Sequence, residues 1–63
     1  MRKFQVREWK SGEWDVVFHD DHNRVVRGSP DTYENYDEAL YISNLFEASP
    51  PQDCYTWTVV AKS

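Results

Sequence analysis

The segment His19-Asp20-Asp21-His22 concentrates side chains that ligate metals and carry protons, and Cys54 supplies one thiol. A metal site needs three or four such groups converging at defined spacings, and this run matches neither a zinc pattern nor a calcium loop. Turn chemistry accounts for the same residues: Asp and Asn bond their own backbone in turns, and Asp20 can pair with Arg24 across a hairpin. Cys54 with His19 or His22 would make a nucleophile and a base only if the fold brought them together. Nothing in the spacing does so. A chain of 63 residues also offers little room for a concave pocket of several hundred Å3. No catalytic residues, no metal and no cofactor are expected, and the chain reads as a binder and not as an enzyme.

Two other constellations suit binding. The first is acidic and aromatic: Asp31, Glu34, Asp37, Glu38 and Glu47 lie among Tyr33, Tyr36, Tyr41 and Leu40. Carboxylates held apart on a rigid body can stand in for nucleic-acid phosphates, and tyrosines add anchoring area. The expected partner is another protein with a basic groove. The second is an Arg, Trp and His set: Arg7, Trp9, His19 and Arg27. Rings that stack and guanidinium groups that reach phosphates would serve nucleic acid. Trp and Arg are equally the common anchors of protein interfaces.

Charge separates the two sets. Residues 1–27 carry Arg2, Lys3, Arg7, Lys10, Arg24 and Arg27 against five acids, near +1; residues 28–63 carry Lys62 against six, near −5. The net charge of −4 disfavours nucleic acid and anionic membranes, so nucleic acid is the alternative reading. No apolar run reaches the ~20 residues of a membrane span. A single cysteine and no signal peptide suit a reducing cytoplasmic setting. Small size suits an accessory or inhibitor protein of a phage or mobile element that blocks a host protein. A homodimer is a third use of the open sheet face.

Local patterns define the elements that carry these residues. Phe4, Val6 and Glu8 alternate with Gln5, Arg7 and Trp9, and Trp14, Val16 and Phe18 alternate with Asp15, Val17 and His19. Such period-2 alternation marks strands. A loop of Lys10-Ser11-Gly12, with Gly12 left-handed, pairs Phe4 with Phe18, Val6 with Val16 and Arg7 with Asp15. Glu8 then emerges at the rim opposite Trp14. A second loop, Asp21-His22-Asn23, sets Phe18 against Val26, Val17 against Arg27 and His19 against Val25. That register puts Arg27 on the outer face. The third strand ends at Gly28-Ser29-Pro30.

Asn35 and Glu38 form a capping box, with Ala39, Ile42 and Phe46 as the buried stripe of the helix and Ser49-Pro50-Pro51 as its stop. Tyr55 to Ala61 alternates as a fourth strand. The fold is therefore α+β: β-β-β-α-β, one helix packed on one face of a four-stranded, mostly antiparallel sheet, with residues 1–63 in a single domain. A helical crossover would lay the last strand parallel to the first, giving the order 3-2-1-4.

Three strands followed by a helix, from Gly12-Glu13-Trp14-Asp15-Val16-Val17-Phe18 through Asp37-Glu38-Ala39, resemble the small sheet domains that read DNA. The arm-binding domains of phage-type integrases are one group of these, and certain plant DNA-reading domains are another. Those sheets are densely basic. Here Glu13, Asp15, Asp20 and Asp21 intrude, and the helix is acidic.

Overall fold

The computed structural model describes residues 2–20 and 25–60. Its elements are β1 (Phe4–Glu8), β2 (Trp14–His19), β3 (Val26–Gly28), α1 (Tyr36–Ala48), a 3-10 turn (Cys54–Thr56) and β4 (Thr58–Val60). One helix and a four-stranded sheet make an α+β fold, and the sheet is antiparallel throughout in the order β1-β2-β3-β4.

The first hairpin has the expected register. Phe4 faces Phe18, Val6 faces Val16, Arg7 faces Asp15 and Glu8 faces Trp14. Gly12 sits at φ 90, a value at which a side chain would be strained. Its N–H donates to the Trp9 carbonyl at 2.9 Å, and the Trp9 N–H donates to the Glu13 carbonyl at 2.8 Å.

The second hairpin is shifted by one residue. Phe18 faces Arg27, His19 faces Val26 and Val17 faces Gly28. The Asp20 N–H donates to the Val25 carbonyl at 3.0 Å, in keeping with that shifted register. The expected loop Asp21-His22-Asn23 itself lies outside the described residues. Because side chains alternate across a strand, a one-residue shift in pairing moves every β3 side chain to the other face. Arg27 therefore lies on the helix side, where Phe18 is.

The last strand also lies elsewhere than expected. β4 pairs antiparallel with β3, through Val26–Val60, Arg27–Val59 and Gly28–Thr58. It does not run parallel beside β1. The reason lies in residues 49–57. Glu47, near the end of α1, bonds Phe4 at the start of β1, so the helix finishes at the end of the sheet where β4 also finishes. The chain must travel back before β4 begins. Nine residues at about 3.3 Å each span roughly 30 Å, ample for that return. Tyr55 accordingly belongs to the 3-10 turn and not to a strand, and β4 spans only Thr58–Val60.

The return segment contributes to the core. Cys54 and Trp57 are buried with Phe4, Val16 and Phe18, and Tyr33, Ile42 and Phe46 pack against them. Phe4 is the hub: its ring lies 5.1 Å from Phe18, 5.5 Å from Phe46 and 6.1 Å from Trp57. Tilted and edge-on pairs of this kind contribute about 0.5–1.5 kcal/mol each beyond the area they bury. Asn35 caps α1, its side-chain oxygen accepting the Glu38 N–H at 2.9 Å. Ala39 is fully buried on the inward stripe.

Candidate binding surfaces

The outer face of the sheet is less open than its composition suggests. Asp15 is 1% exposed and Val17 4%. Arg7 grips the Asp15 carboxylate with two donors, Nε to Oδ1 at 3.2 Å and Nη2 to Oδ2 at 2.8 Å. The guanidinium carbon also lies 4.4 Å from the centre of the Trp9 ring. Gly28 makes room for this pair. A Cβ there would lie 3.2 Å from Arg7 Nη2, 3.4 Å from Asp15 Oδ2 and 3.4 Å from Val60 Cγ1. Arg7 and Asp15 thus lean over β3, and Val60 closes the notch from β4. The charge of Arg7 is spent inside the protein, while Trp9 stays 44% exposed.

The other members of the Arg, Trp and His set do not join this ladder as one basic patch. Arg27 is on the opposite face, donating from Nη1 to the Trp57 carbonyl at 3.2 Å. His19 shares the outer face with Asp15 and Val17, and its Nε2 is buried without a protein partner. Arg27 Nε and Trp57 Nε1 are buried and unpaired in the same way.

The acidic set divides too. Glu47 Oε1 accepts the N–H groups of Lys3 at 2.5 Å and Phe4 at 2.6 Å, so this carboxylate tethers β1 to α1. Tyr33 is half-buried against the core. Its backbone exchanges two hydrogen bonds with Trp14, at 2.7 and 2.8 Å. Burial raises its phenol pKa above the ordinary 10.0, and Asp31, Glu38 and Asp15 push the same way. Tyr36 packs edge-on against Trp14 at 5.2 Å and remains 47% exposed.

An outward stripe is left on α1. Asp37, Tyr41 and Leu45 follow at i, i+4 spacing, which aligns side chains along one helix face. Tyr41 is 63% exposed and Leu45 46%. Glu38 on the helix and Glu34, just ahead of its cap, are both exposed. No Lys or Arg occurs from Gly28 to Val60, and Arg7 is paired with Asp15 on the sheet.

A groove also runs between β1 and α1, lined by Arg2, Phe4, Gln5, Val6, Tyr36, Leu40 and Ser43 and about 320 Å3 in volume. No local pattern in the chain announces it, yet the fold does make room for a cavity of that size. Arg2 and Ser43, which no local pattern singles out, meet there: Arg2 Nη2 donates to Ser43 Oγ at 3.3 Å and to Asn44 Oδ1 at 3.0 Å. Ser43 is fully buried and donates to the Leu40 carbonyl at 2.8 Å.

Cys54 is buried, and burial, reinforced by Asp53, raises its thiol pKa above the ordinary 9.0. A protonated thiol in the core is a poor nucleophile. Among the described residues no group of three or more His, Cys, Asp or Glu side chains gathers to hold a metal. Asp21 and His22 lie outside the described residues. No helix among the described residues is long and apolar enough to cross a membrane.

No protein-family model, curated protein or solved structure matches this chain.

Proposed function

We propose that this chain is a non-catalytic protein-binding module that meets a basic groove on another protein through the outward face of α1. The observation that carries the reading is Tyr41 and Leu45, exposed at 63% and 46% on one helical stripe behind Asp37. Tyrosine is among the residues that most often anchor an interface, and an exposed leucine beside it adds apolar contact area. The unpaired acids around them would steer a basic partner and set its register. A protein that handles nucleic acid presents such a groove, and spaced carboxylates compete for it as phosphates do. Of the acidic set, Asp37, Glu34 and Glu38 belong to this surface together with Tyr36 and Tyr41. Glu47 and Tyr33 serve the fold instead. The nucleic-acid alternative loses its two principal cations, because Arg7 is bound to Asp15 and Arg27 faces the helix side.

The test is affinity capture from the source-cell lysate with mass spectrometry. Wild type is compared with Tyr41→Ala/Leu45→Ala and with Asp37→Lys/Glu38→Lys. Loss of the same captured protein in both variants is expected, along with weaker capture at high salt. Undiminished capture by both variants would remove this surface from consideration.

A further inference from the structure

β1 is an edge strand of the sheet, and its backbone polarity can be assigned. The His19 N–H donates to the Lys3 carbonyl and the Trp9 N–H to the Glu13 carbonyl. In an antiparallel ladder the inward-bonding residues alternate, so Lys3, Gln5, Arg7 and Trp9 bond toward β2. Phe4, Val6 and Glu8 direct their N–H and C=O groups outward. Glu47 already occupies the Phe4 N–H. The outward edge therefore offers the Phe4 carbonyl, both polar groups of Val6 and the Glu8 N–H. These groups border the groove against Tyr36 and Leu40. An exposed edge of this kind is a template for another strand.

We propose that this edge and groove take an extended peptide, paired antiparallel with β1, that carries an apolar residue followed two positions later by a carboxylate. The spacing follows from the pleat. Residues opposite Val6 and Phe4 point to the helix face, as Val6 and Phe4 do. The first enters the groove beside Leu40 and Tyr36. The second lies at the end where Arg2 is held by Ser43 and Asn44. Those two partners are neutral, and the carboxylate at this end, Glu47, is bound to the Lys3 and Phe4 amides and not to Arg2. The volume of about 320 Å3 is at the low end for a ligand site and fits one or two side chains. A second copy fits worse in the register centred on Val6. Antiparallel pairing of two β1 strands about Val6 sets Arg2 against Lys10 of the other copy, like charges face to face.

The experiment uses labelled Thr-Thr-Leu-Thr-Glu-Thr with blocked ends, read by fluorescence anisotropy and by the amide signals of the full chain. Peptides with Lys for Glu, with Asn for Leu, and Thr-Thr-Leu-Thr-Ala with a free or amidated C-terminus complete the set. Binding of the Glu peptide is expected, weaker by tenfold or more for the Lys and Asn versions, with slowed hydrogen exchange at the Val6 and Glu8 amides. The two Ala-ended forms tell a side-chain acid from a terminal one. Arg2→Glu should reverse the preference between Glu and Lys peptides. Arg2 is exposed, so this variant keeps its core, whereas Val6→Pro removes the ladder donor more directly but at some risk to folding. Tyr41→Ala/Leu45→Ala should leave peptide affinity unchanged, which keeps this site separate from the helix stripe. Equal affinity for Glu and Lys peptides, no binding at millimolar peptide, or unchanged Val6 and Glu8 amides would each overturn the proposal. So would a concentration-dependent dimer abolished by Val6→Pro, which would put a second copy on the edge.

Discussion

Arg7 and Asp15 form an ion pair whose two ends differ in burial, and mutating them should therefore cost unequal amounts. The Asp15 side chain is 2% exposed and that of Arg7 28%. Arg7→Met keeps the stem but leaves a buried carboxylate without its partner, a change that costs about 3–5 kcal/mol. Asp15→Ala leaves a guanidinium that water reaches and that still lies over Trp9, so the cost falls to about 1–2 kcal/mol. A chain of this length has a total stability of about 3–9 kcal/mol. Arg7→Met should thus be largely or wholly destabilised at room temperature, and Asp15→Ala should stay folded with a lower Tm. The double variant Arg7→Met/Asp15→Ala should be more stable than Arg7→Met alone, because the orphaned charge is gone. Urea unfolding followed by tryptophan fluorescence reads all three. Asp15→Ala costing as much as Arg7→Met, or a double variant that merely adds the two losses, would refute the assignment of Asp15 as the buried end.

Three further outcomes follow from the structure. Glu47→Ala should lower stability by about 1–2 kcal/mol through loss of two charge-assisted bonds at a partly solvated site, with the Phe4 amide exchanging hydrogen faster than in wild type. Gly12→Ala should cost about 1–2 kcal/mol from backbone strain alone, since nothing lies within 4 Å of the added carbon; Gly12→Asn should cost less, and thermal melts compare the two. Cys54 and Tyr33 both have pKa values raised by burial from 9.0 and 10.0. The unfolded chain then loses these protons first as pH rises. Their contribution is constant at neutral pH and below, and stability should fall from about pH 9 upward, as denaturant titrations across alkaline pH would show.

The parts of the fold legible in the sequence are those fixed by near neighbours. The Gly12 turn sets the β1–β2 register, and opposite charges at Arg7 and Asp15 agree with it. Asn35 and Glu38 mark the start of α1, and Pro50 and Pro51 follow its end. The β2–β3 register depended on counting turn residues, where one position more or fewer is equally compatible with Asp and Asn. That single residue decided the face of Arg27. The place of β4 was hidden because a helix followed directly by a strand implies a parallel return, and residues 49–57 look like a tail of the helix and not like a passage across the core. The site was less legible than the fold. Glu47 and Phe4 are 43 residues apart, as Arg2 and Ser43 are 41, and no periodicity reports such a meeting. The exposure of Tyr41 was readable from its position off the apolar stripe; the groove beside Leu40 was not.

The return segment also bears on the order of assembly. β1, β2 and β3 are joined by short turns, so their pairing closes small loops at little entropic cost. α1 can then dock through Ala39, Ile42 and Phe46 while the core still lacks Trp57. The crossing of residues 49–57 is what brings Trp57 to Phe4 and Phe46, and β4 follows it directly in the chain. Trp57 is thus the keystone of the molecule: the return segment seats its ring against Phe4 and Phe46 and leads directly into the strand that completes the sheet.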